Sequence, residues 1–274
     1  MAGTLSSRRI PAARTVPKLE LAVENADGVR LAAKVGAARV ELCAALAETE
    51  GITPSIGTIE QACGLGFPVH VLVRPRPGNF SYAHDELDVI ERDAVVALAA
   101  GAAGVVVGVL ASDGGPDVPA MRRIVAAAKA VKPDAEVTFH RAFDAALAAG
   151  VDPAEALSRL EQAGVDRVLT SGGGPDCAAG LAMLAMLGRM VQEGGRSAPS
   201  VQIMAGGGVT LALVPSLIEA GVHAVHTSAR ARRWRAEGGG ERAGGAADPD
   251  LAARMAAAVA ADATEERRTF NDGR

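Results

Sequence analysis

Apolar residues recur along this chain in two alternating patterns. Short, β-branched runs give way to a Gly or polar turn and then to a longer Ala- and Leu-rich segment of helical period. The short runs at 19–23, 39–43, 69–75, 104–110, 137–141, 167–171, 201–205 and 224–228 predict eight strands. Before five of them stands a small-residue turn containing glycine, as at Gly36, Gly101, Gly164 and Gly221, where glycine can stop the preceding helix. Consecutive β/α units, each with room for a crossover helix, close into a barrel more naturally at this number than they spread into a sheet. The predicted fold class is therefore α/β, a (β/α)8 TIM barrel forming a single domain over residues 19–230. A doubly wound sheet is the alternative, but no dinucleotide-binding glycine fingerprint follows the first strand.

The chain ends do not share the pattern. Residues 1–18 hold Arg and Ser but no acidic residue and no apolar run of a secretory signal, so they read as a disordered N-terminal extension. Residues 231–274 read as a Gly- and Arg-rich loop followed by a capped C-terminal helix that docks on the barrel.

Strand parity sorts the chemistry. Alternate side chains of a barrel strand face the helices and the interior, and the helix-facing set must be apolar. Val40 and Leu42 claim the helix face, which turns Glu41 and Cys43 inward; Leu19, Leu21 and Val23 do the same for Glu20 and Ala22. The rule also sends His70, Leu72, Arg74, Thr138, His140, Met204, His226 and Ser228 inward. Buried ionisable groups are costly unless paired, and a barrel built only for stability fills with Val, Ile and Leu.

Active sites of this fold open at the C-terminal strand ends, where Arg74, Arg76, His140, Arg141, Asp144, Ser171, His226 and Ser228 fall. Glu41 and His140 are candidate acid/base groups, with Arg74 and Asp144 completing the catalytic set. Arg74 and Arg76 suit a clamp on a carboxylate or phosphate. Gly206, Gly207 and Gly208 suit close approach of an anion to bare backbone, with Glu20, Arg141, Ser171, His226 and Ser228 as further binding candidates. Bland alternatives stand beside these roles. Glu20 and Arg74 read equally as an ion-pair network filling the barrel, Asp144 as a helix cap, His70 as a core histidine, and the glycines as ordinary tight turns.

Composition narrows the partners. Net charge is −4 with both signs mixed along the chain, so no broad basic surface invites nucleic acid or a membrane. The expected partner is a small molecule or a metal ion, with Ala-rich helices offering a surface for a homo-oligomer. Three scattered cysteines form neither a disulfide framework nor a CxxC site and point to a reducing cytoplasm. Cys43, inward by parity, could join His140, His226 or Met204 around copper(I), which favours soft sulfur ligands. Cys177 is a second metal candidate, placed near a helix start where the dipole would lower its thiol pKa. A buried cysteine is also simply a small hydrophobe.

Taken together, "RVELCAALAETEGITPS", "PVHVLVRPRPGNFSY", "VTFHRAFD", "RVLTSGG", "IMAGGGV" and "VHTSA" resemble the CutC family, in the same order from about residue 19 to residue 230. The resemblance implies a cytoplasmic β/α barrel, often oligomeric, associated with copper homeostasis and Cu(I) binding. It assigns Glu41 and Cys43 to the family's "VELC", Arg74 and Arg76 to "RPR", His140, Arg141 and Asp144 to "FHRAFD", and His226 and Ser228 to "HSSA". The family usually reads "GGLTPS" where this chain places Glu50. Two readings follow: a Cu(I)-handling protein led by Cys43, or an enzyme acting on a small anionic or phosphorylated metabolite with Glu41 and His140 as acid and base.

Overall fold

In the computed structural model, which describes residues 17–193, 200–230 and 247–271, eight parallel strands pair in sequence order into a closed barrel. The units run β1 (Lys18–Val23), α1 (Ala26–Val35), β2 (Arg39–Leu42), α2 (Leu46–Thr49), α3 (Ile56–Cys63), β3 (Val69–Leu72), α4 (His84–Ala99), β4 (Gly104–Val107) and α5 (Val118–Val131). They continue through β5 (Glu136–Phe139), α6 (Ala142–Ala148), α7 (Pro153–Ala163), β6 (Arg167–Thr170), α8 (Leu181–Glu193), β7 (Gln202–Gly206), α9 (Val214–Glu219), β8 (Ala224–Thr227) and α10 (Pro249–Asn271). The barrel closes where β8 pairs with β1, setting His226 beside Glu20. The extension before residue 17 and the Gly/Arg-rich loop of 231–246 lie outside the described residues.

Local signals set the helix ends. Asn25, Asp117 and Asp152 accept backbone N–H groups at the starts of α1, α5 and α7, and Pro153 takes the first position of α7. Gly36 and Gly164 stop α1 and α7 in the left-handed conformation, both at φ 78°. α10 buries Ala252, Met255 and Val259, packing beside α1 and α9. Among the described residues no helix is long and apolar enough to cross a membrane.

Two strands stop three residues short of their apolar runs. β3 ends at Leu72 because the next turn pairs with a loop: Arg74 N–H donates to Thr53 Oγ1 at 2.9 Å, and Thr53 N–H to the Arg74 carbonyl at 3.0 Å. β4 ends at Val107, after which the chain folds back locally and bridges Leu110 to Pro116.

The helix-facing layer is the large core, with Leu21, Val40, Val71, Val105, Val137, Phe139, Val168 and Ile203 all buried in it. The interior is built differently. At the N-terminal end Arg167 donates to Glu136 at 2.8 Å, to Thr138 Oγ1 at 3.2 Å and to Gln202, and His70 Nε2 lies 3.6 Å from Glu136. This ionic layer fills the N-terminal end of the barrel, opposite the strand ends where the sequence candidates gather.

Candidate active site

Above that layer a chain of charges climbs toward the mouth. Arg39, pointing inward from the start of β2, donates to the carboxylate of Glu20, which is wholly buried. The other Glu20 oxygen lies 2.8 Å from His226 Nδ1, and His226 Nε2 lies 3.4 Å from Glu41 Oε2. Arg39, Glu20, His226 and Glu41 therefore form one line of alternating charge. Burial works against the Glu20 carboxylate, but Arg39 and His226 outweigh it and hold the group below the usual carboxylate range. Burial pushes Glu41 up to about 7, with the Glu20 charge adding to the shift and His226 opposing it. Burial also disfavours a charged His226, yet Glu41 and Glu20 together raise its pKa.

A cavity of about 560 Å³ opens over this line. Glu41, His226, Arg74, His140, Arg141, Gly207, Gly208 and Ser228 line it, along with Phe80, Leu46, Leu72, Leu169, Leu211, Leu251 and Met255. Glu50, Thr210, Thr227 and Arg230 line it as well, so charged, polar and apolar groups all border the cavity. Gly207 and Gly208, which line the cavity, sit at φ 116° and 64°, in the left-handed region that favours glycine. His140 enters through a gap left by Gly108, where a Cβ would lie 2.5 Å from the imidazole ring. Burial, then the Arg74 charge, lower His140 to about 3, so the ring is neutral at physiological pH. That opposes its expected part as a base. Arg74 is buried, with its guanidinium donating to the carbonyls of Thr49, Gly51 and Gly78.

Other sequence candidates are placed elsewhere. Glu20 lies beneath the pocket, and an ionised carboxylate there would repel an anion. Arg76 does not converge with Arg74: Glu86 binds it at 2.5 Å and 3.2 Å, and its guanidinium stacks 4.7 Å from the Tyr82 ring centre. Asp144 is saturated by donors from Thr170, Ser171, Gly173 and Arg141, which ties α6 to the loop after β6. Ser171 is fully buried, its hydroxyl 3.0 Å from Asp144 and 2.7 Å from the Gly174 carbonyl. Gly206 makes space instead of binding, since a Cβ there would meet Leu169 at 2.5 Å and His226 at 3.0 Å.

Residues 17–231 match the CutC family. This chain belongs to the CutC family. Family protein CutC of Yersinia pestis (strain Pestoides F) is 40% identical over 213 residues, covering 77% of this chain and 78% of that one. Its counterpart in Photorhabdus laumondii is 39% identical over 213 residues, covering 77% and 79%. The crystal structure of CutC from Streptococcus agalactiae aligns with a TM-score of 0.66 at 28% identity, covering 77% of this chain and 98% of that one.

In this CutC-family chain the donors expected for copper do not converge. Cys43 points inward but is sealed in an apolar cluster with Leu72 and Val106, and its thiol approaches only the Val23 carbonyl, at 3.6 Å. Burial, then the Glu41 and Glu24 charges, push that thiol well above the ordinary range, whereas a copper ligand must be thiolate. Met204 lies deeper, accepting from Arg39 at 3.3 Å. Cys177 packs in the helix-facing core, and burial pushes it up to about 12, opposite to the expected lowering at a helix start. Among the described residues no three His, Cys, Asp or Glu gather as metal ligands would. The side chains present do not fit a resident Cu(I) ion.

Sequence reasoning missed Arg39, Arg167 and Gly108, the glycine that makes room for the His140 ring. Parity alone would have found both arginines, since each begins its strand on the inward register. Phe80, Leu211, Leu251 and Met255 carried no comparable signal, because only the folded chain brings their loops and α10 over the mouth.

Proposed function

We propose that this CutC-family protein binds a small organic anion in its barrel mouth and moves a proton on it. Glu41 and His226 act as the acid/base pair. The observation that carries this reading is the Glu41 carboxyl: it lines the pocket, is poised near 7, and lies 3.4 Å from an imidazole whose other nitrogen is fixed by Glu20. Arg141, part-exposed at the pocket wall, and the bare backbone at Gly207 and Gly208 supply the anion contacts. The apolar lining residues, Phe80, Leu72, Leu211 and Met255 among them, suit a carbon skeleton. All three thiols are free, which supports a reducing cytoplasm as the setting.

Thermal shift with a panel of small carboxylates and phosphate esters tests the reading. At least one anion is expected to raise the melting temperature, as any ligand bound only by the folded state does, and Arg141→Ala should weaken its binding roughly tenfold. A panel in which nothing stabilises the wild type sinks the proposal.

Family membership favours a second reading, copper handling, and the thiol chemistry separates the two. In an anaerobic Cu(I) titration against a competing chelator, wild type and Cys43→Ala are expected to bind equally weakly. Tight one-to-one binding lost in Cys43→Ala would make copper the cargo.

A further inference from the structure

Proton transfer by Glu41 and His226 leaves buried donors of the pocket lining without partners among the described residues: Arg74 Nε, Arg230 Nε and His140 Nε2, of which only the last belongs to a neutral side chain. His140 is only 5% exposed, and its Nε2 meets no partner among the described residues. An orphaned buried polar atom is costly, and in a pocket it marks the place of a ligand atom. The rest of the ring is fixed. Nδ1 accepts the Ala142 backbone N–H at 3.2 Å, so the single proton of the neutral imidazole sits on Nε2. Phe80 packs on one side, its ring centre 4.8 Å from that of His140, and the Arg74 guanidinium lies 5.2 Å from the Phe80 centre. Gly108 leaves the space the ring occupies. What waits at Nε2 is therefore an acceptor, close to the positive charge of Arg74, in the cavity that also holds Glu41.

We infer that His140 Nε2–H receives the carbonyl oxygen of the substrate, so that the substrate is a small carbonyl compound bearing a C–H bond beside the C=O group. The inference rests on the acid/base reading of Glu41 and His226 and deepens it. The Glu41 carboxylate takes the proton from that carbon. The C–H electron pair becomes a C=C bond, and the C=O pair moves onto oxygen, where His140 Nε2–H and the nearby Arg74 charge stabilise the enolate. Glu41 returns the proton to the same carbon; where that carbon bears a hydroxyl, return to the former carbonyl carbon, with the hydroxyl proton passing to the other oxygen, gives the isomer. Every atom and electron is conserved, and no co-reactant is needed. A neutral imidazole suits the task because it donates a hydrogen bond without competing for the proton, and its low pKa keeps it neutral throughout the working range.

Deuterium exchange tests this without knowledge of the final product. Pyruvate, 2-oxobutyrate and hydroxyacetone are incubated with the full chain in D2O, and loss of the C–H signals beside the carbonyl is followed by proton NMR. The wild type is expected to accelerate exchange of at least one probe. His140→Leu should slow it roughly 10²–10³-fold, the usual effect of deleting one oxyanion donor. His140→Gln, which keeps an N–H donor near the same place, should recover part of the loss and guards against a folding defect. Exchange in His140→Leu as fast as in the wild type overturns the assignment. Anion binding in the thermal-shift panel with no exchange of any probe overturns the carbonyl inference alone. Neither binding nor exchange removes the proposed function with it.

Discussion

Glu20→Ala is expected to lower stability by about 3–5 kcal/mol, the usual cost of leaving one partner of a buried ion pair uncompensated. Glu20 is fully enclosed, and its removal strands Arg39, itself 4% exposed, with only the Met204 sulfur at 3.3 Å. His226 also loses the carboxylate that holds its Nδ1. For a domain of this size the melting temperature should fall by roughly 10 °C. The double variant Glu20→Leu with Arg39→Met tests the cause, because an apolar pair of similar volume removes both charges and should restore most of the loss. Urea unfolding of the three proteins at pH 7 gives the comparison. A single-variant loss below about 1 kcal/mol, the range of solvent-exposed pairs, would mean that water reaches the pair.

Glu41→Gln is expected to make the protein more stable at alkaline pH while abolishing exchange. The folded carboxyl, at about 7, lies above its ordinary 4.5, so between these values the folded state holds a proton that the unfolded chain releases. The stabilisation is complete below pH 4.5 and is lost as pH rises through 7. His226 acts in the same direction, since its pKa is also raised and its favourable charge disappears as pH climbs. Two and a half pH units correspond to about 3 kcal/mol. Gln carries no proton to lose, so wild type and variant should unfold together at pH 4.5 and separate by about 3 kcal/mol at pH 8, the variant being the more stable. Urea midpoints at the two pH values measure this. A constant difference across the range would show that Glu41 titrates as if in water.

The two variants probe two ends of one line of charge, and that line marks where reading the sequence stops. Period-two alternation is local, so Val40 and Leu42 could send Glu41 inward, and Val137 and Phe139 could send His140 inward, before any fold was known. Strand order followed as well, since consecutive β/α units with glycine stops leave few ways to close. Strand ends did not follow, because apolar character runs past Leu72 and Val107 into segments that pair with loops instead of the sheet.

Which inward groups touch was beyond local pattern. Glu20 and His226 stand 206 residues apart and meet only because β8 closes on β1 in one register. Arg76 shares a motif with Arg74, but Glu86 on the next helix draws it away. Cys43 stands two residues after Glu41, just past the end of β2, but Leu72 and Val106 enclose it and burial pushes its thiol pKa up. Leu251 and Met255 reach the pocket from a helix that follows the last strand. The sequence by itself determined the barrel, its strand count and the inward face of six of the strands, because these depend on a repeat that neighbouring residues share. The tertiary structure alone decided the charge pairs, the protonation states and the pocket wall, because these depend on distances across the barrel that closure sets.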